Sequence, residues 1–372
     1  MKELKNIATG ASRLHAVGFT EGAREVLAGG IFPITVKVKS SATGKSFDRI
    51  VEISAYGKWL AQEGTRSGDL VRNSATQFSP DGNSFVGIPD WKGNLKPGRN
   101  DFQIPAAFGL GHAANGQPIG EPVWVETSLS PRTVFSSTNR SLAILSKKWR
   151  APVLWVTVLN TATGKVLGNL TLHTWGLPPA ALSSDGQRLI TAIQHNESLD
   201  HPNDCEVVVL DVKTGKTLLA VGGSGLKPQV VARSDQAPPP VVPKVDVHSY
   251  PVTSITVSPN GSVFASSDGD RVRFWDAATG RLVRSFAYRA QRNQGQPWLR
   301  GGTNLAYSPA GRLLAAQDGR GMIFFDASTG EEAGIATGHT AAVSAFAFSA
   351  DGKRLVTGDE GGIVKVWSVT YE

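Results

Sequence analysis

The residues best equipped for chemistry lie together in one short stretch, residues 193–205, which reads IQHNESLDHPNDC. It holds two histidines six residues apart, several carboxylates and the only cysteine of the chain. Imidazole, carboxylate and thiolate groups are the ligands that zinc takes in proteins, so this stretch has the composition of a divalent-metal site. A polar surface insertion has the same composition, and we favour it, so we predict neither a metal nor a cofactor. The candidate ligands are His195, Glu197, Asp200, His201, Asp204 and Cys205.

The other candidate motifs fail on spacing. Residues 43–46 and 214–217 read TGKS and TGKT, like the end of a phosphate-binding loop. Such a loop needs a further glycine five positions before its second glycine, and the chain has Lys39 and Leu210 there. No Ser-His-Asp set or pair of neighbouring carboxylates stands out. We therefore assign no catalytic residue and predict that the protein is not an enzyme.

Composition places the chain among folded proteins with a large core. It has 372 residues, of which 40% are hydrophobic and 19% are charged. The net charge of +7 and the pI of about 9.5 favour acidic partners, although such a charge also serves solubility. The single cysteine excludes a disulfide within the chain. The sequence has no apolar run of membrane-spanning length and no signal peptide at its start, so we expect a cytoplasmic protein.

A unit with two hairpin turns repeats along the chain. The first turn lies between short runs of alternating apolar and polar residues, a pattern of β-strands, and its glycine or asparagine allows the positive φ angle that the turn needs. A second turn, most often Thr-Gly, follows in six of the seven units. Two turns and four strands make one antiparallel sheet, and such sheets must stack to bury both faces. The first turns are marked by Gly22, Gly82, Asn139, Gly186, Gly261, Gly311 and Gly352.

The repeat resembles that of the WD-repeat β-propeller family over essentially the whole chain. Gly338-His339, Trp275-Asp276 and Trp367 carry the resemblance most clearly. Three histidines each precede a first-turn glycine by 13 residues, and three Ser or Thr residues each follow one by five. The resemblance implies buried His–Ser/Thr–Asp–Trp tetrads, of which only the fifth unit could have all four members. In the last unit Gly361 stands at the aspartate position, six residues before Trp367, and in the fourth Leu210 stands where the tryptophan should be. The implied members are His173, Thr191, His248, Ser266, Asp268 or Asp270, Trp275, His339, Thr357 and Trp367.

The fold that this resemblance implies is an all-β, seven-bladed β-propeller of four-stranded antiparallel blades, in a single domain of residues 1–372. The last unit lacks its fourth strand, and an open ring would leave two unpaired sheet edges. Residues 6–12, NIATGAS, repeat residues 334–340, GIATGHT, at the end of an outer strand. We therefore predict that residues 2–9 complete the last blade by pairing with residues 363–367.

Residues beyond a minimal blade are concentrated in six connections that follow the second or the fourth strand of a unit. In an up-and-down blade both kinds of connection emerge on the same face of the disc, so the long loops would share one face. Long loops on a rigid scaffold are common binding sites. The six connections are residues 55–69, 88–101, 146–152, 193–205, 222–244 and 289–302.

These loops are rich in tryptophan and basic residues, which are typical of binding hot spots. The candidate partner-binding residues are Trp59, Trp91, Lys92, Arg99, Lys147, Lys148, Trp149, Arg150, Arg289, Arg292, Trp298 and Arg300. Alternatively, the tryptophans fold back over the channel and the basic residues are only solvated.

We predict a non-catalytic, monomeric protein-interaction scaffold whose partner is another protein or peptide with an acidic or extended segment. The first alternative is a nucleic-acid or acidic-ligand binding propeller, which the basic loops also fit but the modest net charge does not favour. The second is a metal-dependent hydrolase with its site in the central channel, because carboxylates from different blades would leave no local motif.

Overall fold

The computed structural model describes residues 1–8, 14–19, 26–30, 37–38, 49–50, 77–87, 104–112, 117–127, 131–147, 151–195, 205–222, 248, 251–268, 271–287 and 304–370. Strands account for all the regular structure in these ranges. Their bounds are β1 Lys2–Ala8, β2 Leu14–Phe19, β3 Val26–Gly30, β4 Lys37–Val38, β5 Arg49–Ile50, β6 Gln77–Phe78, β7 Ser84–Gly87, β8 Ile104–His112, β9 Val123–Thr127, β10 Arg132–Phe135, β11 Ser141–Lys147, β12 Val153–Asn160, β13 Val166–His173, β14 Ala180–Leu182, β15 Arg188–Gln194, β16 Cys205–Asp211, β17 Thr217–Val221, β18 Ser254–Val257, β19 Val263–Ser267, β20 Arg271–Asp276, β21 Leu282–Ala287, β22 Leu305–Tyr307, β23 Leu313–Asp318, β24 Gly321–Asp326, β25 Glu332–Thr337, β26 Val343–Phe348, β27 Arg354–Asp359 and β28 Ile363–Ser368. None of the described residues forms a helix that is long and apolar enough to span a membrane.

The strands form a β-propeller of antiparallel four-stranded blades, as predicted. Five blades take four consecutive strands each: β6–β9, β10–β13, β14–β17, β18–β21 and β22–β25. The sixth has the order β1-β28-β27-β26, so its outer strand comes from the other end of the described chain. The five blades of consecutive strands are meanders, and in all six blades a turn joins the first two strands.

The first turn of a blade is built by its own side chains. In the turn after β6, the Ser79 hydroxyl donates to Asp81 at 2.6 Å and accepts from the backbone N–H of Ser84 at 2.9 Å. Gly82 supplies the positive φ angle of 74° that the turn requires. The same Ser-x-Asp/Asn arrangement recurs at Ser183, Ser258 and Ser349. Local turn chemistry therefore sets the register of the first hairpin.

The predicted count of seven four-stranded blades is corrected by the structure, in which the described residues contain six. In the first unit, the described residues form a two-stranded sheet, β2–β3, and the short pair β4–β5, and not one four-stranded sheet. β2 nevertheless packs between two blades, since the Ser344 hydroxyl donates to the Leu14 carbonyl and Gly18 lies against Phe78. It lines the central cavity together with the inner strands of the six blades.

The hydrophobic core lies between neighbouring blades. Leu145 and Val156 of one blade pack with Leu182 and Val208 of the next, and all four are buried. Burying a side chain of this size contributes roughly 1.5–3 kcal/mol. Because each blade contributes side chains to two such layers, the blades support one another around the disc.

The predicted pairing of the N-terminal strand with the last blade is confirmed. β1 runs antiparallel to β28, with Ile7 opposite Val364 and Lys2 opposite Ser368. Ile7 is buried in the core of that blade. The ammonium of Lys365, which is 5% exposed, lies 2.7 Å from the Glu3 carboxylate, so an ion pair reinforces the ladder.

Candidate functional site

The two faces of the disc differ in the connections that they carry. On one, the turn face, the first strand of each blade turns into the second, and in the five blades of consecutive strands the third leads into the fourth. Most of the third-to-fourth turns are also tight, as between Asp276 and Arg281. On the other, the loop face, second and fourth strands end and inner strands begin. The long connections join β5–β6, β7–β8, β11–β12, β15–β16, β17–β18 and β21–β22. The five that follow a strand of a four-stranded blade therefore start and finish at the loop face, and the β5–β6 connection finishes there, at the start of β6.

Most candidate partner-binding residues belong to these connections and lie outside the described residues. They are Trp59, Trp91, Lys92, Arg99, Lys148, Trp149, Arg150, Arg289, Arg292, Trp298 and Arg300. For these residues the structure shows only the strands that come before and after them in the sequence.

Lys147 is the described member of the set, and its role is corrected. It is the last residue of β11 and is only 3% exposed. Its ammonium donates to the Thr174 carbonyl at 2.7 Å and lies 5.8 Å from the centre of the Trp175 ring. Burial lowers the pKa of Lys147. Lys147 is thus a cation of the framework that ties two connections together, not a charge presented to a partner.

The last described blade has a complete buried tetrad. The Trp367 indole N–H donates to the Thr357 hydroxyl at 2.9 Å, and His339 Nε2 lies 2.7 Å from the same oxygen. His339 Nδ1 lies 2.8 Å from the Asp359 carboxylate. Burial lowers the pKa of His339, although the hydrogen bond to Asp359 opposes the shift. A neutral imidazole that donates from Nδ1 and accepts at Nε2 satisfies every group in this network.

Asp359 was missed in the sequence because the expected position, six residues before Trp367, holds Gly361. The carboxylate comes from two residues earlier, at the end of β27, and its second oxygen accepts the backbone N–H groups of Gly361 and Ile363 at 3.0 and 2.8 Å. The sequence feature that marks this carboxylate is an acidic residue at the end of the second strand, not a fixed spacing from the tryptophan.

A second network lies in the blade of β18–β21. The Trp275 indole donates to the Ser266 hydroxyl at 2.8 Å, and His248 Nε2 lies 2.7 Å from that oxygen. Asp268 takes the aspartate position, 3.2 Å from His248 Nδ1, and also pairs with the buried Arg273 guanidinium at 3.1 Å. Burial alone would raise the pKa of Asp268, but the hydrogen bond and charge of His248 and the charge of Arg273 hold it well below its usual range.

The expected tetrad at His173 is wrong. β13 continues through His173, which pairs with Val153 and is exposed at the edge of the blade. The Thr191 hydroxyl donates instead to the Pro179 carbonyl at 2.9 Å. His173 does precede Gly186 by 13 residues, as in the other units, but this spacing does not determine where β13 ends.

The histidine- and carboxylate-rich stretch, residues 193–205, is described only at its ends. His195 Nε2 lies 3.6 Å from a carboxylate oxygen of the buried Glu206. Burial raises the pKa of the Cys205 thiol to about 11, which keeps it protonated and unreactive at neutral pH. Within the described part of the chain, no group of three His, Cys, Asp or Glu side chains is arranged to hold a metal. Residues 196–204 lie outside it.

A cavity of about 840 Å³ runs along the centre of the disc, between the inner strands β2, β6, β10, β14, β18, β22 and β26. Among its described lining residues, Arg132 is the cation and Asp81 is the carboxylate. The rest of the described lining is apolar or neutral.

Antiparallel four-stranded blades, a central cavity and buried Trp–Ser/Thr–His–Asp networks define a β-propeller. The family model described as "WD domain, G-beta repeat" matches residues 241–276 and 330–368. These two segments contain every residue of the two tetrads, so the chain is a β-propeller with recognisable WD repeats at two blades. No curated protein matches the chain significantly.

Proposed function

We propose that this protein is a non-catalytic scaffold that presents its loop face to a partner protein. WD-repeat propellers are typically interaction scaffolds and are generally non-catalytic, and the matched repeats make that the first expectation here. The observation that carries the proposal is the difference between the faces: most connections at the turn face are tight turns, whereas five of the six long connections lie between strands that end and begin at the loop face. Long loops that a rigid scaffold holds in place are commonly the loops used for binding.

The chemistry of those connections supports an acidic or extended partner segment. They contain four of the nine tryptophans and most of the candidate basic residues, and the whole chain carries a net charge of +7. Tryptophan and arginine are the side chains that most often dominate binding energy at interfaces. Basic loops also accelerate encounter with an acidic partner, an effect that falls with ionic strength. Monomeric state and cytoplasmic location remain part of this proposal.

A paired set of charge reversals tests the proposal. The loop-face variant is Lys148→Glu with Arg150→Glu, and the matched turn-face control is Lys213→Glu with Lys353→Glu, two exposed lysines of tight turns. The tagged proteins are used to isolate partners from cell extract, and bound proteins are quantified by mass spectrometry. We expect the loop-face variant to lose the partners that the wild type and the control retain. Equal recovery by all three proteins would refute the proposal.

A further inference from the structure

Arg132 has an unusual position for an arginine. It is the first residue of β10, whose burial alternates: Thr133 and Phe135 are buried, whereas Arg132 and Val134 are half-buried. Successive side chains of a strand point to opposite faces, and residues of β10 line the central cavity. Arg132 is itself one of the residues that line the cavity, on the innermost strand of its blade.

Two hydrogen bonds establish the end of the channel at which Arg132 lies. The Thr133 hydroxyl donates to Gln77 at 3.4 Å, next to the start of β6, and the Asn139 side chain donates to Asp81 at 2.9 Å in the turns that follow β6 and β10. The two inner strands consequently run in the same direction. Arg132 lies at their beginning, which is the loop face, and Asp81 lies at the turn face.

The described residues offer Arg132 no counter-charge. Asp81, the carboxylate of the described lining, is at the far end and already accepts from Ser79 and Asn139. The starts of other inner strands contribute the neutral side chains of Thr253 and Asn304 to the cavity. Burial lowers the pKa of Arg132, without an opposing carboxylate. A cation removed from water is costly unless it is paired, so this arginine is suited to an anion from outside.

We propose that Arg132 binds an oxyanion carried by an extended segment of the partner, which enters the central cavity from the loop face. The oxyanion is the carboxylate of an acidic residue or a phosphate group, since both match the planar fork of a guanidinium. The cavity of about 840 Å³ is in the usual range for a ligand site. This inference rests on the proposed function, because it names the anchor point of the same partner.

Small anions test the site without a known partner. Thermal unfolding of the full chain is measured at constant ionic strength in sodium acetate, sodium phosphate and sodium chloride, for the wild type, Arg132→Met, Arg132→Lys and Arg312→Met. Arg312 is an exposed arginine of the turn face and serves as the matched control. We expect acetate or phosphate at about 20 times its Kd to raise the Tm of the wild type and of the control by roughly 2 °C over chloride. Arg132→Met abolishes the rise and Arg132→Lys reduces it. If only acetate raises the Tm, the partner's oxyanion is a carboxylate; if only phosphate raises it, the oxyanion is a phosphate group.

The Tm in chloride separates binding from structure. A structural arginine would lower the Tm when removed, whereas a half-buried cation without a counter-charge can be replaced by methionine without loss. We therefore expect the Tm of Arg132→Met in chloride to equal or exceed that of the wild type. Equal anion shifts in all four proteins, or no shift in the wild type, would overturn the proposal.

The partner assay distinguishes the two proposals. Arg132→Met should weaken capture of the partner about 30-fold or more, the effect of removing one member of a buried ion pair. If Arg132→Met captures partners normally while the loop-face variant does not, the scaffold function stands and the Arg132 site is wrong. If neither variant changes capture, the scaffold proposal itself is wrong.

Discussion

The tetrad of the last blade makes a quantitative prediction at Thr357. Its hydroxyl is fully buried, accepts from Trp367 and contacts His339 Nε2. Thr357→Val keeps the shape but leaves the indole N–H without an acceptor and the imidazole nitrogen without a donor. A buried polar group that loses its partner costs about 1–3 kcal/mol, so the free energy of unfolding should fall by about 2–6 kcal/mol.

The matched control is Thr191→Val, in a blade without a histidine network. The Thr191 hydroxyl is equally buried and, among the described residues, donates one hydrogen bond, to the Pro179 carbonyl, so its loss should cost about 1–3 kcal/mol. Both variants are unfolded in urea and followed by tryptophan fluorescence, with circular dichroism as a second probe of the same transition. A cycle with Trp367→Phe should give a coupling energy of about 1–3 kcal/mol with Thr357→Val. If Thr357→Val costs no more than Thr191→Val, the tetrad does not brace the blade as reasoned here.

Three further predictions concern the closure, a buried carboxylate and a turn. Deleting residues 1–8 exposes the edge of β28 and removes Glu3 from Lys365, so we expect a lower Tm in a single transition; an unchanged Tm would contradict closure. Asp268 has a lowered pKa when folded, so its stabilisation is present above its unfolded pKa of about 3.9 and is lost as the pH falls. The stability deficit of Asp268→Asn should therefore be largest near pH 6 and shrink below pH 4 in urea titrations, and a constant deficit would argue against the ion pair. Asn139→Gly relieves a φ angle of 54° but loses the bonds to Asp81, so we expect a net loss of about 1 kcal/mol, and a gain would show that the strain dominates.

The blade pattern could be predicted from sequence because its determinants are local. A Ser-x-Asp-Gly turn contains its own acceptor, donor and left-handed residue, and these act within six positions. The closure was also accessible, because residues 6–12 repeat the end of another outer strand. The blade count was not, since the first unit has no four-stranded ladder among its described residues.

The tetrads were predictable only where the outer strand ends before the histidine. His248 and His339 lie in connections that lead into an inner strand, and their rings turn inward to Ser266 and Thr357. His173 has the same offset from its turn glycine but still belongs to β13. The length of β13 depends on its pairing with β12, and the spacing of residues along the sequence does not reveal that pairing.

The buried cations of this chain distinguish framework from binding site. Arg273 is neutralised by Asp268, Lys365 by Glu3, and Lys147 donates to a backbone carbonyl. Each of them has its partner within the fold, as the cost of desolvating a charge requires. Arg132 faces the channel with no such partner among the described residues, at the end where the long connections meet. A fold that pairs its buried cations so consistently would gain little stability from this half-buried one, and a role in recognising an anion is the physical reason for keeping it.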